Sequence, residues 1–74
     1  MVRLSRKFIE ALKLGEKPAY KVAWEAGVDP VVLSKLIHGY ERVSPKDHRV
    51  IAVGRVLGLL PDECFEETND EQRS

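Results

Sequence analysis

One cysteine in 74 residues leaves Cys64 without an internal partner, so no disulfide staples this fold. A reducing compartment is the natural home for such a chain. Long apolar runs are missing too. Nothing reaches the length of a membrane span or a signal-peptide core, and Met1-Val2-Arg3 leads straight into helical pattern. The expectation is a cytoplasmic protein with no membrane partner. Histidine is scarce, and His38, His48 and Cys64 do not fall at metal-ligand spacings, so no metal site is expected. No glycine-rich phosphate loop is present, because Gly54 and Gly58 belong to a helical segment and its end. Ser34 and Lys35 lie on a helix face and do not form a catalytic pair. The carboxylates gather at helix starts and near the C-terminus, where capping and solvation account for them. No catalytic residue, cofactor or small-molecule ligand is therefore expected, and the protein is not read as an enzyme. Strand-like alternation bounded by hairpin turns is absent as well.

What the chain does have is regular punctuation. Gly15, Gly27, Gly39 and Gly58 each follow an apolar-periodic segment, and Pro18, Pro30, Pro45 and Pro61 stand shortly after them. Glycine just past a helix and proline in the first turn of the next is the expected asymmetry. Four such joints predict five helical segments. The first covers about Leu4 to Leu14, with Leu4, Phe8, Ala11 and Leu12 on one face. The second starts at Pro18 and buries Ala19, Val22, Ala23 and Ala26. Asp29 caps the third, Pro30 opens it, and it ends near His38. Ser44-Pro45-Lys46-Asp47 resembles a capping box for the fourth, whose apolar face is Val50, Val53, Gly54 and Leu57. Gly54 lies within that stripe and marks a close helix contact. The fifth is short, Pro61 to about Phe65.

Residues 19–39 are the most informative stretch: A-Y-K-V-A-W-E-A-G-V-D-P-V-V-L-S-K-L-I-H-G. Small Ala23 permits close approach of a second helix. Gly27 supplies the left-handed conformation that ends the first. Val28 plugs the corner, and Leu33 and Leu36 anchor the second helix from one face. These residue types at these spacings specify a helix-turn-helix, the unit that lays its second helix in the major groove of DNA.

Net charge is zero, but the average hides two halves. Residues 1–49 carry 10 Lys and Arg against 6 Asp and Glu, and residues 50–74 carry 2 against 6. A basic body is thus joined to an acidic end. Residues 66–74 contain no apolar side chain and are expected to form an acidic disordered tail, with residues 1–65 as the folded domain. The tail carboxylates are expected to compete with phosphate for the basic face.

The chain resembles the lambda-repressor-like, or Cro and Xre type, helix-turn-helix DNA-binding family. The resemblance rests on V-A-W-E-A-G-V-D-P-V-V-L-S-K-L-I-H-G (Val22 to Gly39), then Ser44-Pro45, then V-L-G-L-L-P-D-E-C-F (Val56 to Phe65). It covers roughly residues 4–65. It implies an all-α, five-helix domain that regulates transcription, often as a dimer on a palindromic operator. The sequence departs from the family where Ala19 stands at a position often held by Gln, and the recognition segment is unusually apolar.

Successive helical residues are about 100° apart. Val32, Leu33, Leu36 and Ile37 therefore fall on one side of the third segment, and Val31, Ser34, Lys35 and His38 on the other. The second set is the candidate base-reading face. Lys35 suits guanine O6/N7 or a phosphate, Ser34 donates or accepts, Val31 packs only on a thymine methyl, and His38 bonds a phosphate or base. Lys17, Lys21, Tyr40, Arg42 and Lys46 are the candidate phosphate contacts. Two apolar patches could serve a dimer or another partner: Tyr20 with Trp24, and Leu59 with Leu60 and Phe65. The second is favoured for a homodimer that assembles on double-stranded DNA. The expected function is a sequence-specific transcriptional regulator, a repressor. The alternative is a protein-interaction module on the same fold, an antitoxin or adaptor, using the Trp24 or Phe65 patch.

Overall fold

A computed structural model of the chain describes residues 2–67. Its elements are β1 (Val2–Leu4), α1 (Arg6–Leu14), α2 (Ala19–Ala26), α3 (Pro30–Ile37), α4 (His48–Val56), a 3-10 turn (Pro61–Glu63) and β2 (Phe65–Glu67). The all-α, five-helix architecture is thereby corrected. Among the described residues there are four α-helices and a two-stranded antiparallel sheet. Val2 pairs with Glu67, Arg3 with Glu66 and Leu4 with Phe65. The expected fifth helix shrinks to one 3-10 turn, because Phe65 and Glu66 are drawn into the sheet. Residues 66 and 67, assigned to a tail on sequence, belong to β2; the rest of that stretch, 68–74, lies outside the described residues.

Ser5 explains where α1 begins. Its side-chain oxygen accepts from Phe8 N at 3.0 Å, which makes it the N-cap and leaves Leu4 in the strand. Its backbone N–H donates to the Cys64 carbonyl at 2.9 Å, and its hydroxyl donates to the Glu63 carbonyl. One buried serine thus closes a helix end and ties both termini together. Phe8 and Leu12, one turn apart, bury the inner face of α1.

The α2–α3 unit forms with the expected turn, though of the expected stripe on α2 only Val22 and Ala23 are buried, and Ala19 is exposed. Gly27 adopts φ 76°, its N–H donates to the Trp24 carbonyl, and Val28 N donates to the Ala23 carbonyl at 2.8 Å. That pair of bonds is a Schellman motif, with buried Val28 packed over buried Ala23. Asp29 then caps α3 by accepting from Val31 N at 2.8 Å, and Pro30 occupies the first helical position. The start of α4 differs from expectation. Ser44 and Pro45 lie in a turn, and Asp47 is the N-cap, because its carboxylate accepts from Arg49 N and from Ser44 N together. Helix α2 is central and packs against α1, α3 and α4. The core joins Leu4, Phe8, Leu12, Val22, Ala23, Val28, Leu33, Leu36, Val50, Val53 and Cys64. Gly54 does make a close contact, but not with another α-helix: a Cβ there would sit 2.2 Å from Sγ of Cys64, which lies between the 3-10 turn and β2. Among the described residues, no helix is long and apolar enough to cross a membrane.

Candidate nucleic-acid interface

Helix α3 is divided sharply by exposure. Leu33 and Leu36 are 1% and 3% exposed, whereas Val31 is 60% exposed and Ser34, Lys35 and His38 are also on the surface. The four side chains expected to form one face therefore do form one. Burial of two leucines fixes the helix rotationally, so the outer face cannot turn away from a partner.

The polar members of that face are partly organised already. His38 Nδ1 lies 2.9 Å from the Ser34 carbonyl and 3.3 Å from Ser34 Oγ. A carbonyl has no proton to give, so Nδ1 donates in this contact. Ser34 Oγ accepts weakly from the same N–H, which leaves the serine O–H for an outside acceptor. The face thus offers a methyl surface at Val31, a hydroxyl donor at Ser34, an ammonium at Lys35 and the imidazole of His38. Gly39, at φ 82°, ends the helix and lets Tyr40 N donate back to the Lys35 carbonyl at 2.8 Å.

The cations sort into two groups. Arg3 pairs with Glu66, Lys7 with Glu63, Lys17 with Glu25 and Arg49 with Asp47. Among the described residues Arg6, Lys13, Lys21, Lys35, Arg42, Lys46 and Arg55 form no ion pair, and Lys21, Lys35, Arg42 and Lys46 are the ones expected to meet DNA. These four are on α2, on α3 and in the loop that follows. Lys17 differs from the other expected phosphate contacts: its Nζ donates to both Glu25 oxygens, at 2.8 and 2.7 Å. The pair is exposed and contributes little, so exchange of Glu25 for a phosphate costs little.

Within the described residues, Glu63 and Glu66 at the acidic end are not free competitors for the cations of α3. Glu66 accepts from the Arg3 guanidinium and from Arg6 N at 3.2 Å, at the start of α1. The Arg3 hydrogen bond holds its carboxyl below the usual range, and the Lys7 hydrogen bond does the same for Glu63. These carboxylates are committed to N-terminal cations and do not reach for α3. Sequence reasoning missed this neutralisation, and the only signal was alternation in V-R-L and F-E-E at opposite ends of the chain.

The loop after α3 is clasped from one side. Arg49 Nε and Nη2 donate to the two Asp47 oxygens at 3.0 and 2.8 Å, and its Nη1 lies 3.8 Å from Glu41 Oε1. Arg42 and Lys46 sit between those anchors, and Lys46 adopts φ 59°. Tyr40 is exposed.

The two apolar patches fare unequally. Leu59 and Phe65 are partly buried against the core, and only Leu60 stays exposed, at 67%. That set is not assembled as a surface. Tyr20 and Trp24 are: their rings meet edge to face with centroids 5.1 Å apart, and Trp24 is 63% exposed. Beside them, a groove of about 260 Å³ runs between the start of α2 and α3, lined by Ala19, Tyr20, Pro30, Leu33, Ser34, Ile37 and His38. Cys64 is buried, and burial pushes its thiol up, away from reactivity. Among the described residues, no three His, Cys, Asp or Glu side chains are placed to hold a metal ion. No protein-family model, curated protein or solved structure matches this chain.

Proposed function

We propose that the protein is a sequence-specific DNA-binding regulator of transcription that lays α3 in the major groove. The observation that carries this reading is the α3 outer face, with Val31, Ser34, Lys35 and His38 exposed over buried Leu33 and Leu36. The unpaired cations support it. Lys21, Lys35, Arg42 and Lys46 have no carboxylate partner among the described residues and are available to phosphates, while the N-terminal cations Arg3 and Lys7 are paired internally. Lys17 joins by exchanging Glu25, and Tyr40 contributes a hydroxyl. Kinship with the Cro and Xre regulators is part of the proposal and rests on the Val22 to Gly39 segment. A repressor is the simplest regulator of this kind, since occupying the site suffices to block it. The cytoplasm, where the single thiol stays reduced, is the compartment proposed.

One copy presents few base-reading groups, so two copies on half-sites about 34 Å apart are proposed to share the operator. The Tyr20–Trp24 pair is the apolar surface available for contact between copies. The same pair supports a second reading, a protein-interaction module that meets an unrelated partner through Trp24.

Selection from random duplexes separates the two. A regulator enriches a consensus, and its affinity falls with salt at a slope near −0.9 per phosphate contact. An interaction module enriches none.

A further inference from the structure

The surface that α3 and the start of α2 present together is largely apolar. Val31 exposes its isopropyl group one turn before Ser34 and Lys35. On the other side of Ser34 lies the open groove, with Ala19, Pro30, Leu33 and Ile37 along it and polar side chains from Tyr20, Ser34 and His38. Ala19 keeps it open, because a methyl is all that the first residue of α2 contributes. Lys21 and Lys35 stand on the two helices, and neither forms an ion pair among the described residues. Those two lysines are available to phosphates, and the exposed lining of the groove is mostly apolar.

A base pair shows the major groove one apolar group, the C5-methyl of thymine. Its other edge atoms are donors and acceptors that lose water without compensation against a valine or an alanine. We propose that Val31 and the groove between α2 and α3 take thymine C5-methyl groups, so that methyl position carries much of the sequence reading. Ser34, Lys35 and His38 add the hydrogen bonds that fix register. This inference rests on the placement of α3 in the major groove and names what it reads there. It accounts for a recognition helix whose first four residues, Pro30, Val31, Val32 and Leu33, offer no hydrogen-bonding side chain.

The test replaces thymine by deoxyuridine, one position at a time, in the duplex that the protein selects from a random pool. Deoxyuridine keeps every hydrogen-bonding atom and removes only the methyl. Each contacted thymine should then cost about four-fold in affinity, the worth of one buried methyl-sized group. Val31→Ala, at an exposed position where alanine favours the helix, should fold as the parent does and lose sensitivity at the thymine that Val31 covers. A selected duplex that binds equally well with every thymine replaced would overturn the methyl reading while leaving the DNA-binding proposal standing. A pool that yields no selected duplex would overturn both, and would leave the apolar face to a protein partner.

Discussion

Removing the charge of Asp47 should loosen the loop that carries Arg42 and Lys46. Asp47 is 6% exposed and caps α4 while accepting from Ser44 N at 3.2 Å, Arg49 N at 3.1 Å, and the Arg49 guanidinium at 3.0 and 2.8 Å. The Arg49 side-chain hydrogen bonds, helped by the backbone N–H groups, outweigh burial and lower its pKa from 3.8 to about 2. A folded-state pKa below the unfolded one means stability that is present above pH 4 and lost as pH falls towards 2. That depression, 3.8 to about 2, corresponds to roughly 2 kcal/mol at neutral pH. Asp47→Ala also leaves the first turn of α4 uncapped, so the whole cost should be about 2–3 kcal/mol. For a domain of this size that lowers Tm by about 10–20 °C. Asp47→Asn keeps an acceptor for the backbone and loses the charge, so it should fall between the parent and the alanine variant. Circular-dichroism melts at pH 7 and from pH 5 to 2 provide the measurement. The gap between parent and Asp47→Asn should close as pH falls from 4 to 2. A constant gap, or identical Tm at pH 7, would refute the clasp.

Other expectations follow from the same contacts. Ala23→Leu should overpack the crossing of α2 with its neighbours and cost about 1–3 kcal/mol in a denaturant melt. Gly54→Ala places a methyl against Cys64 Sγ and should destabilise by a similar amount, about 1–3 kcal/mol, with part recovered in the double variant that also carries Cys64→Ala. On DNA, Lys21→Ala and Arg42→Ala should each flatten the salt slope by about 0.9 and weaken specific and non-specific binding alike. Lys35→Ala should weaken specific binding more, as fluorescence titrations with selected and scrambled duplexes would record.

The α2–turn–α3 unit was legible because its signals are local. Ala23, Gly27, Val28, Leu33 and Leu36 each do in the structure what their spacing implies, and Asp29 and Pro30 open α3 as expected. The exposed face of α3 follows from that periodicity alone. The sheet was not legible. Leu4 and Phe8 are four residues apart, and that spacing reads as helix until Ser5 is seen to cap α1. Its partner strand lies more than sixty residues away in sequence, and three-residue strands carry too little alternation to announce a pairing. The acid clusters misled for the same reason. Glu66 looks like tail in sequence and acts as a cap and ion-pair partner once β2 aligns it with Arg3. At α4 two capping signals stood close together, and Asp47 prevailed over Ser44 because its carboxylate also binds the Arg49 guanidinium.

The central claim, that the outer face of α3 meets DNA, is tested most directly by amide chemical shifts of the labelled protein as the selected duplex is added. The account predicts the largest changes over residues 31–38, with further changes at Lys21 and across the loop from Tyr40 to Lys46. Amides around Arg3, Lys7, Glu63 and Glu66 should stay near their free positions, because those charges are already satisfied within the domain. Changes concentrated at the sheet or around Leu60, with residues 31–38 unmoved, would contradict it.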